Sequence, residues 1–457
     1  MVPDTMRFDF HGMRRKAVVT AALNVAFSFA ALLWTATGAQ AYKLKVLYAF
    51  CAETNCTDGQ APSPYAPVVM DAAGNLFGTT ADGGDQGDGV VFKLSPPQGH
   101  KGWKFERIYS FCAEPACADG TTPIGNLVVD VSGNVFGVSR FGGSGNGSVF
   151  ELSPPVEGKT WTFAIVHSFC SESGCADGSQ PFSGLTYQGA ASGLPYDGTS
   201  PLYGVTSEGG TQGKGAAYQL VPVPQKAKWK ESVLYSFCVK SGCTDGQTPT
   251  AVPILDGAGN LYGVTDFGGA TQNGVLFKLS PGGGKRWRNT VLHSFCAVNG
   301  CSDGGLANKL VMDGQGNLFG TAVFGGTSAT HAGVAFELVA NGSQPQYSVL
   351  YNFCSQSDCR DGASPKSELL IDAAGALLGT AFNGGGHDTD LFNQGGGTVF
   401  KLTGTTLQTL HRFCSKPNCV DGMYPYAGMI ANPSGVLFGI TEVGGAHDGG
   451  EVFEMTP

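Results

Sequence analysis

Few residues in this chain carry charge. Asp, Glu, Lys and Arg make up 14% of 457 residues, the net charge is −9, and no basic patch offsets it. Nucleic acid and anionic surfaces therefore repel the protein, and neither is an expected partner. Beyond residue 41 no apolar run approaches the roughly 20 residues that cross a bilayer as a helix. There is no Gly-x-Ser-x-Gly elbow, no His-Glu-x-x-His, no phosphate-binding loop and no dinucleotide fingerprint, so no familiar enzyme class is indicated and no cofactor is expected. Glycine, by contrast, is abundant at 70 residues, which penalises helix interiors throughout and excludes a long helical architecture. At 42% hydrophobic, the chain still has ample material for a core, which excludes wholesale disorder.

The first 41 residues stand apart. Arg14, Arg15 and Lys16 form a basic cluster, 17–37 is mostly small and apolar, and Ala39-Gln40-Ala41 is a small-x-small cleavage signal. That is the anatomy of a secretory signal peptide, residues 1–41, with an uncleaved anchor as the alternative. Met13 directly precedes the basic cluster and is a second candidate start. Cleavage after Ala41 removes four basic and two acidic side chains, leaving 23 basic against 34 acidic and a net charge of −11. A periplasmic or secreted monomer, free of the membrane after cleavage, is expected.

Self-similarity organises the rest. Phe-Cys recurs at Cys51, Cys112, Cys170, Cys238, Cys296, Cys354 and Cys414, at spacings of 58 to 68 residues. Five positions after each comes a second cysteine, Cys56, Cys117, Cys175, Cys243, Cys301, Cys359 or Cys419, and then Asp-Gly, so all 14 cysteines are used. Each unit continues with an apolar run such as Leu127–Asp130, a Gly-Asn turn, an aromatic-Gly pair such as Phe77-Gly78, a Gly-Gly pair and a Phe-x-Leu segment. Apolar–polar–apolar spacing is the period of a half-buried strand, and Asp-x-x-Gly-Asn is hairpin chemistry. The unit therefore reads as four short strands a to d; in the second copy they are 127–130, 134–139, 148–153 and 161–169.

Seven such units predict an all-β fold, a seven-bladed β-propeller of four-stranded antiparallel blades, with a β-solenoid as the competitor. The repeats fall at approximately 61–111, 122–169, 180–237, 248–295, 305–353, 364–413 and 424–457. The last stops after strand c, whereas 42–50 is a strand d with no blade before it, so 42–50 is expected to complete the seventh blade and hide its edge. Residues 42–457 then form a single domain.

Leu-Tyr-x-Phe, Asp-x-x-Gly-Asn-Leu-Phe-Gly, Gly-Gly and Gly-x-Val-Phe-Lys-Leu resemble the GloVer tandem repeat of exported bacterial "choice-of-anchor" proteins. The resemblance covers essentially all of the chain after the signal. It implies export and a propeller-like array, and brings no established activity or catalytic residues. Many members end in a C-terminal sorting segment; the chain ends at Pro457 without one, which favours a soluble periplasmic or secreted state.

Seven separate C-x4-C loops read as seven local disulfides; the alternative, metal binding, needs ligands converging on one region. The Asp after each second cysteine (Asp58, Asp119, Asp177, Asp245, Asp303, Asp361, Asp421) reads as an Asx-turn orienting strand a rather than a calcium ligand. His167, His293 and His411 alternate with Tyr at one strand position and read as packing. His331, His387 and His447 have no counterpart in the first four blades and lie in the b-to-c loops of successive blades, with Asp388, Asp390 and Asp448 beside them. These six are the candidate binding residues, set against the reading of a solvated loop tip. Nine extra residues between Gln188 and Leu202 in blade three read as a surface excursion.

Two functions follow. The favoured one is an exported non-enzymatic binding or scaffold propeller whose unknown extracellular ligand is a glycan or protein, because the units are nearly identical and an active site normally breaks such symmetry. The other is an extracellular hydrolase or lyase acting on a glycan or peptide through His387, Asp388, Asp390 and His447. The cysteine reading predicts an intact mass about 14 Da below the fully reduced chain, two hydrogens for each of seven bridges; free thiols on the native protein would contradict it.

Overall fold

The computed structural model describes residues 42–457 apart from 64, 100–101, 144, 157–158, 224–227, 284–286, 341–343 and 387–394. The signal peptide reading, residues 1–41, lies outside the described residues. No described helix is long and apolar enough to cross a membrane.

Seven antiparallel sheets follow one another along the chain. In blade two, Thr121–Val129 pairs with Val135–Phe141, which pairs with Ser148–Ser153, which pairs with Thr162–Ser168. The last sheet takes its outer strand from the other end of the chain: Lys43–Ala49 runs antiparallel to Glu451–Thr456, with Lys43 opposite Thr456 and Ala49 opposite Glu451. The propeller and its N-terminal closing strand are thus as the repeat predicts.

Strand d does not alternate cleanly between its two faces. Every c–d pair carries a register shift, between Val46 and Tyr48 in the closing blade. Such a bulge re-aims the residues after it. Leu44 joins the cluster between blades six and seven, whereas Leu47 and Tyr48 both join the cluster between blades seven and one.

The core of the described residues is divided among seven large clusters, each shared by adjacent blades, and a small eighth around Met423 and Tyr424 between blades six and seven. Its recurring piece is an aromatic ring on strand c lying over a glycine on strand b. A Cβ on Gly78 would stand 2.5 Å from the Phe92 ring, and the same clash faces Gly137, Gly263, Gly320, Gly379 and Gly439. This close approach, not turn conformation, is why the aromatic-Gly pair recurs. The extra residues of blade three run along the surface, with 191–195 exposed, and are anchored at one point: Tyr196 is fully buried against Phe136, and its carbonyl accepts the Val131 N–H.

All seven cysteine pairs are disulfides, with no cysteine left free. The following Asp does more than an Asx-turn, and in the other direction. Asp58 reaches back over the loop, accepting the Ala52 and Glu53 N–H groups at 3.0 and 3.2 Å and the Tyr48 hydroxyl at 2.7 Å. The two backbone bonds recur at all seven Asp residues, which are at most 4% exposed. Tyr109, Tyr235 and Tyr351 repeat the hydroxyl bond, and His293 Nε2 stands 3.1 Å from Asp303. Where His167 and His411 stand farther off, at 3.6 and 3.7 Å, the Ser171 and Ser415 hydroxyls donate to the same carboxyl. The Tyr/His position is therefore structural, as expected, but as a partner of a buried acid rather than a packing tip. Burial holds His167 and His293 below the usual imidazole range.

One buried acid has no such partners. Glu451 is fully buried at the closing junction, and neither carboxyl oxygen makes a hydrogen bond among the described residues. Burial first, and then the Asp421 charge, push it up to about 8, against an opposing pull from Lys416. A folded-state value above the unfolded one means that ionisation is free of cost below about pH 4 and increasingly destabilising as pH rises to about 8. The melting temperature is therefore expected to fall as pH rises from about 4 to about 8 and to level off above that. Glu451→Val, which installs the residue found at the equivalent place in blades one, four and five (Val90, Val275, Val334), is expected to flatten that slope by several degrees; parallel slopes would refute it. Deleting 42–50 should expose the edge of Glu451–Thr456 and produce association in light scattering with a lower melting temperature. An unchanged monomer would show that the ring does not depend on this strand.

Candidate functional site

Of the residues singled out in the b-to-c loops, His387, Asp388 and Asp390 lie outside the described residues. His447 and Asp448 are exposed, and Asp448 accepts the Gly444 N–H at 3.3 Å. His331 is exposed, in left-handed conformation, with Nδ1 2.9 Å from the Gly326 carbonyl oxygen. None of these three makes an ion pair among the described residues. The described grouping with metal-like spacing, Asp88 beside Cys112 and Cys117, has both sulfurs committed to a disulfide, so the metal reading of the cysteine pairs is set aside.

The richer constellation lies on the ring axis, and sequence reasoning missed it. The innermost strands of the blades enclose a channel. Toward the face bearing the Cys loops it holds a cavity of about 320 Å³, lined among others by Tyr65, Phe182, Thr250, Asp266, Lys309, Lys366, Glu368 and Tyr426. Two segments of each blade supply these side chains: the stretch just after the Cys loop, and the end of strand b before Gly-Gly. The second is a single repeat position, three residues past the strand-b glycine, and it reads Ala81, Arg140, Ser207, Asp266, Val323, Phe382 and Glu442 around the ring. The two positions before it are confined to Thr, Val or Ile and to Thr, Ser or Ala, whereas this one differs in all seven. That column was visible in the sequence, but only a closed ring turns it into one site.

Aromatic rings make up one wall. Tyr65 lies edge-on to Phe182 and Tyr426, with centroids at 4.5 and 4.9 Å, and Phe382 meets Tyr426 at 5.3 Å. The Lys366 ammonium sits 3.9 Å from the Phe382 centroid and 4.5 Å from that of Tyr426. The Arg140 guanidinium lies over Phe182 at 4.8 Å. Both are cation–π contacts in a half-buried setting, where they are worth on the order of 1 kcal/mol each.

The floor is a crossing lysine. Lys309, 9% exposed, belongs to blade five, yet its Nζ donates to Asn126 Oδ1 of blade two at 2.5 Å and stands 3.7 Å from Glu368 of blade six. Blades two and five face each other across the ring, so this side chain spans the axis. Burial lowers its affinity for a proton, opposed by Glu368. Burial likewise lowers Lys366, opposed by Glu442, and raises Glu442. Asp266 is pushed up to about 6 by burial, and the Thr250 hydroxyl donates to it at 2.6 Å. Exposed Phe141 and Phe267 follow directly on Arg140 and Asp266 and extend the apolar surface outward. Rings, the cations Lys309 and Lys366 and the carboxyl groups of Asp266 and Glu368 thus line a pocket about the size of the smallest ligand sites, some 300 Å³, with Arg140 and Glu442 flanking it.

Comparison with known proteins agrees with the repeat pattern. The sequence profile described as the Gloeobacter/Verrucomicrobia repeat matches residues 33–200 and 188–392. No curated protein matches the chain significantly. Among solved structures, the extracellular domain of a one-component-system protein from B. thetaiotaomicron aligns over 90% of this chain at 11% identity and a TM-score of 0.50. This chain spans 40% of that structure's length, and the likeness is one of fold. A gluconolactonase from Xanthomonas campestris aligns over 74% of this chain and 86% of its own, at 10% identity and a TM-score of 0.38.

Proposed function

The chain belongs to the Gloeobacter/Verrucomicrobia repeat family, and from that starting point we propose that it is an exported, non-enzymatic binding propeller that holds its ligand in the channel mouth on the Cys-loop face. One observation carries the reading. In a scaffold whose disulfides, buried acids and Gly–aromatic contacts repeat from blade to blade, the side chains aimed at the axis do not repeat. Ligand sites on rigid scaffolds are built in this way, by variation on a fixed frame. His331, His447 and Asp448 lie on the same face as the mouth, where they would meet a ligand protruding from it. Seven disulfides support an oxidising compartment, periplasmic or extracellular.

The test is binding of the purified protein to a panel of glycans, peptidoglycan fragments and peptides, with each bound compound also assayed for cleavage. Arg140→Ala and Tyr426→Ala are expected to weaken the interaction at least about tenfold, near 1.4 kcal/mol, with melting and circular dichroism preserved. The bound compound is expected to be recovered intact. Binding indifferent to both substitutions would refute a channel site, and turnover would favour the hydrolase or lyase reading instead.

A further inference from the structure

We infer that the channel takes the end of a neutral, hydroxyl-rich chain, that is, the terminal sugar units of an uncharged glycan. The inference rests on the channel-mouth reading above and adds the chemistry of the ligand. Three features of the pocket lead to it.

First, its charges are mutually compensated. Lys309 is engaged by Glu368 and Asn126, and Lys366 is held over two rings beside Glu442. Arg140 and Asp266 remain, one of each sign, in blades two and four on either side of Phe182 of blade three. Neither makes an ion pair among the described residues; the Arg140 guanidinium donates one weak bond to Gln180 at 3.5 Å, and Asp266 accepts the Thr250 hydroxyl. An anionic or cationic ligand would gain one attraction and meet one repulsion. A sugar hydroxyl both donates and accepts, so adjacent hydroxyls satisfy a guanidinium and a carboxyl group together.

Second, the aromatic wall offers flat apolar faces between these polar groups, which suits a pyranose ring: its C–H faces pack on aromatics while its rim is polar. Third, the pocket has a floor. Lys309 crosses the axis to Asn126, whose strand is held backbone to backbone against the next blade, since a Cβ on Gly184 would stand 2.1 Å from the Asn126 carbonyl oxygen. A polymer cannot thread such a channel and enters only by an end. A volume of about 320 Å³ admits a sugar unit or two and leaves the rest of the chain against Phe141 and Phe267 at the rim.

Calorimetric titration of the exported full-length protein with chitohexaose, cellohexaose and maltohexaose, with an alginate hexamer as the acidic control and an unstructured peptide with a free carboxylate as the peptide control, tests this. At least one neutral hexamer is expected to bind, and Asp266→Asn and Tyr426→Ala are expected to weaken it at least tenfold while leaving the melting temperature within a few degrees. Longer oligomers of the same linkage should compete in proportion to their number of chain ends, not to their mass. Competition by mass would overturn entry by an end. Failure of all three neutral hexamers, or channel-dependent binding of only the acidic hexamer or the peptide, would overturn the neutral glycan; in the latter case the channel-mouth reading survives. Hexamer binding that neither substitution weakens would overturn both.

Discussion

Seven buried carboxyl groups, each reaching back across a disulfide-closed loop, fix the geometry from which the rest of the molecule follows. Every one of the 14 cysteines adopts positive φ, between 45° and 63°, a conformation that costs a non-glycine residue on the order of 1 kcal/mol. Such backbone persists only where its surroundings over-determine it. Here the bridge closes the loop covalently while the Asp collects two N–H groups from inside it and a hydroxyl or imidazole from strand d. The acid thereby ties the outermost strand of one blade to the loop that begins the next. Without it, the turn toward the axis would have no defined direction, and the inner strand would not deliver Tyr65, Phe182 or Tyr426 to a common point.

With the loops fixed, adjacent blades lock through the aromatic-on-glycine contacts of strands b and c. Because each core cluster is shared between neighbours, no blade has a core of its own, and the sheets hold one another only as a closed set. The constraint falls on the outer and middle strands. It leaves the inward positions free, and there the seven blades diverge: Arg140, Asp266, Phe382 and Glu442 occupy one repeat position that packing does not dictate.

Much of this was legible in the chain itself. Cysteine spacing gave the blade count, the apolar alternation gave strands b and c to within two residues, and the unmatched strand at 42–50 gave the ring closure. Three things escaped, each for a physical reason. The reach of Asp58 back to Ala52 and Glu53 depends on a loop wound through left-handed residues that no propensity scale anticipates. The bulge in strand d adds a residue without a sequence marker, since Leu47 and Tyr48 are both ordinary strand formers. The channel site joins Asn126, Lys309 and Glu368, residues up to 242 positions apart, which periodicity within one repeat cannot relate. The histidines that break the repeat most visibly lie instead in the b-to-c loops, where His387, Asp388 and Asp390 fall outside the described residues.

The antiparallel closure of the last blade has a geometric consequence for how the molecule would be displayed. Lys43 and Thr456 stand opposite each other at the same end of their sheet. Strand Lys43–Ala49 runs from there toward the Cys loops, while Glu451–Thr456 runs back from the Gly-Gly loops. Lys43 and Thr456 therefore lie side by side on the face remote from the channel mouth. Anything joined at either of these two points, whether a tether, a fused domain or a solid support, would hold the propeller like a dish on its stem, with the mouth turned outward.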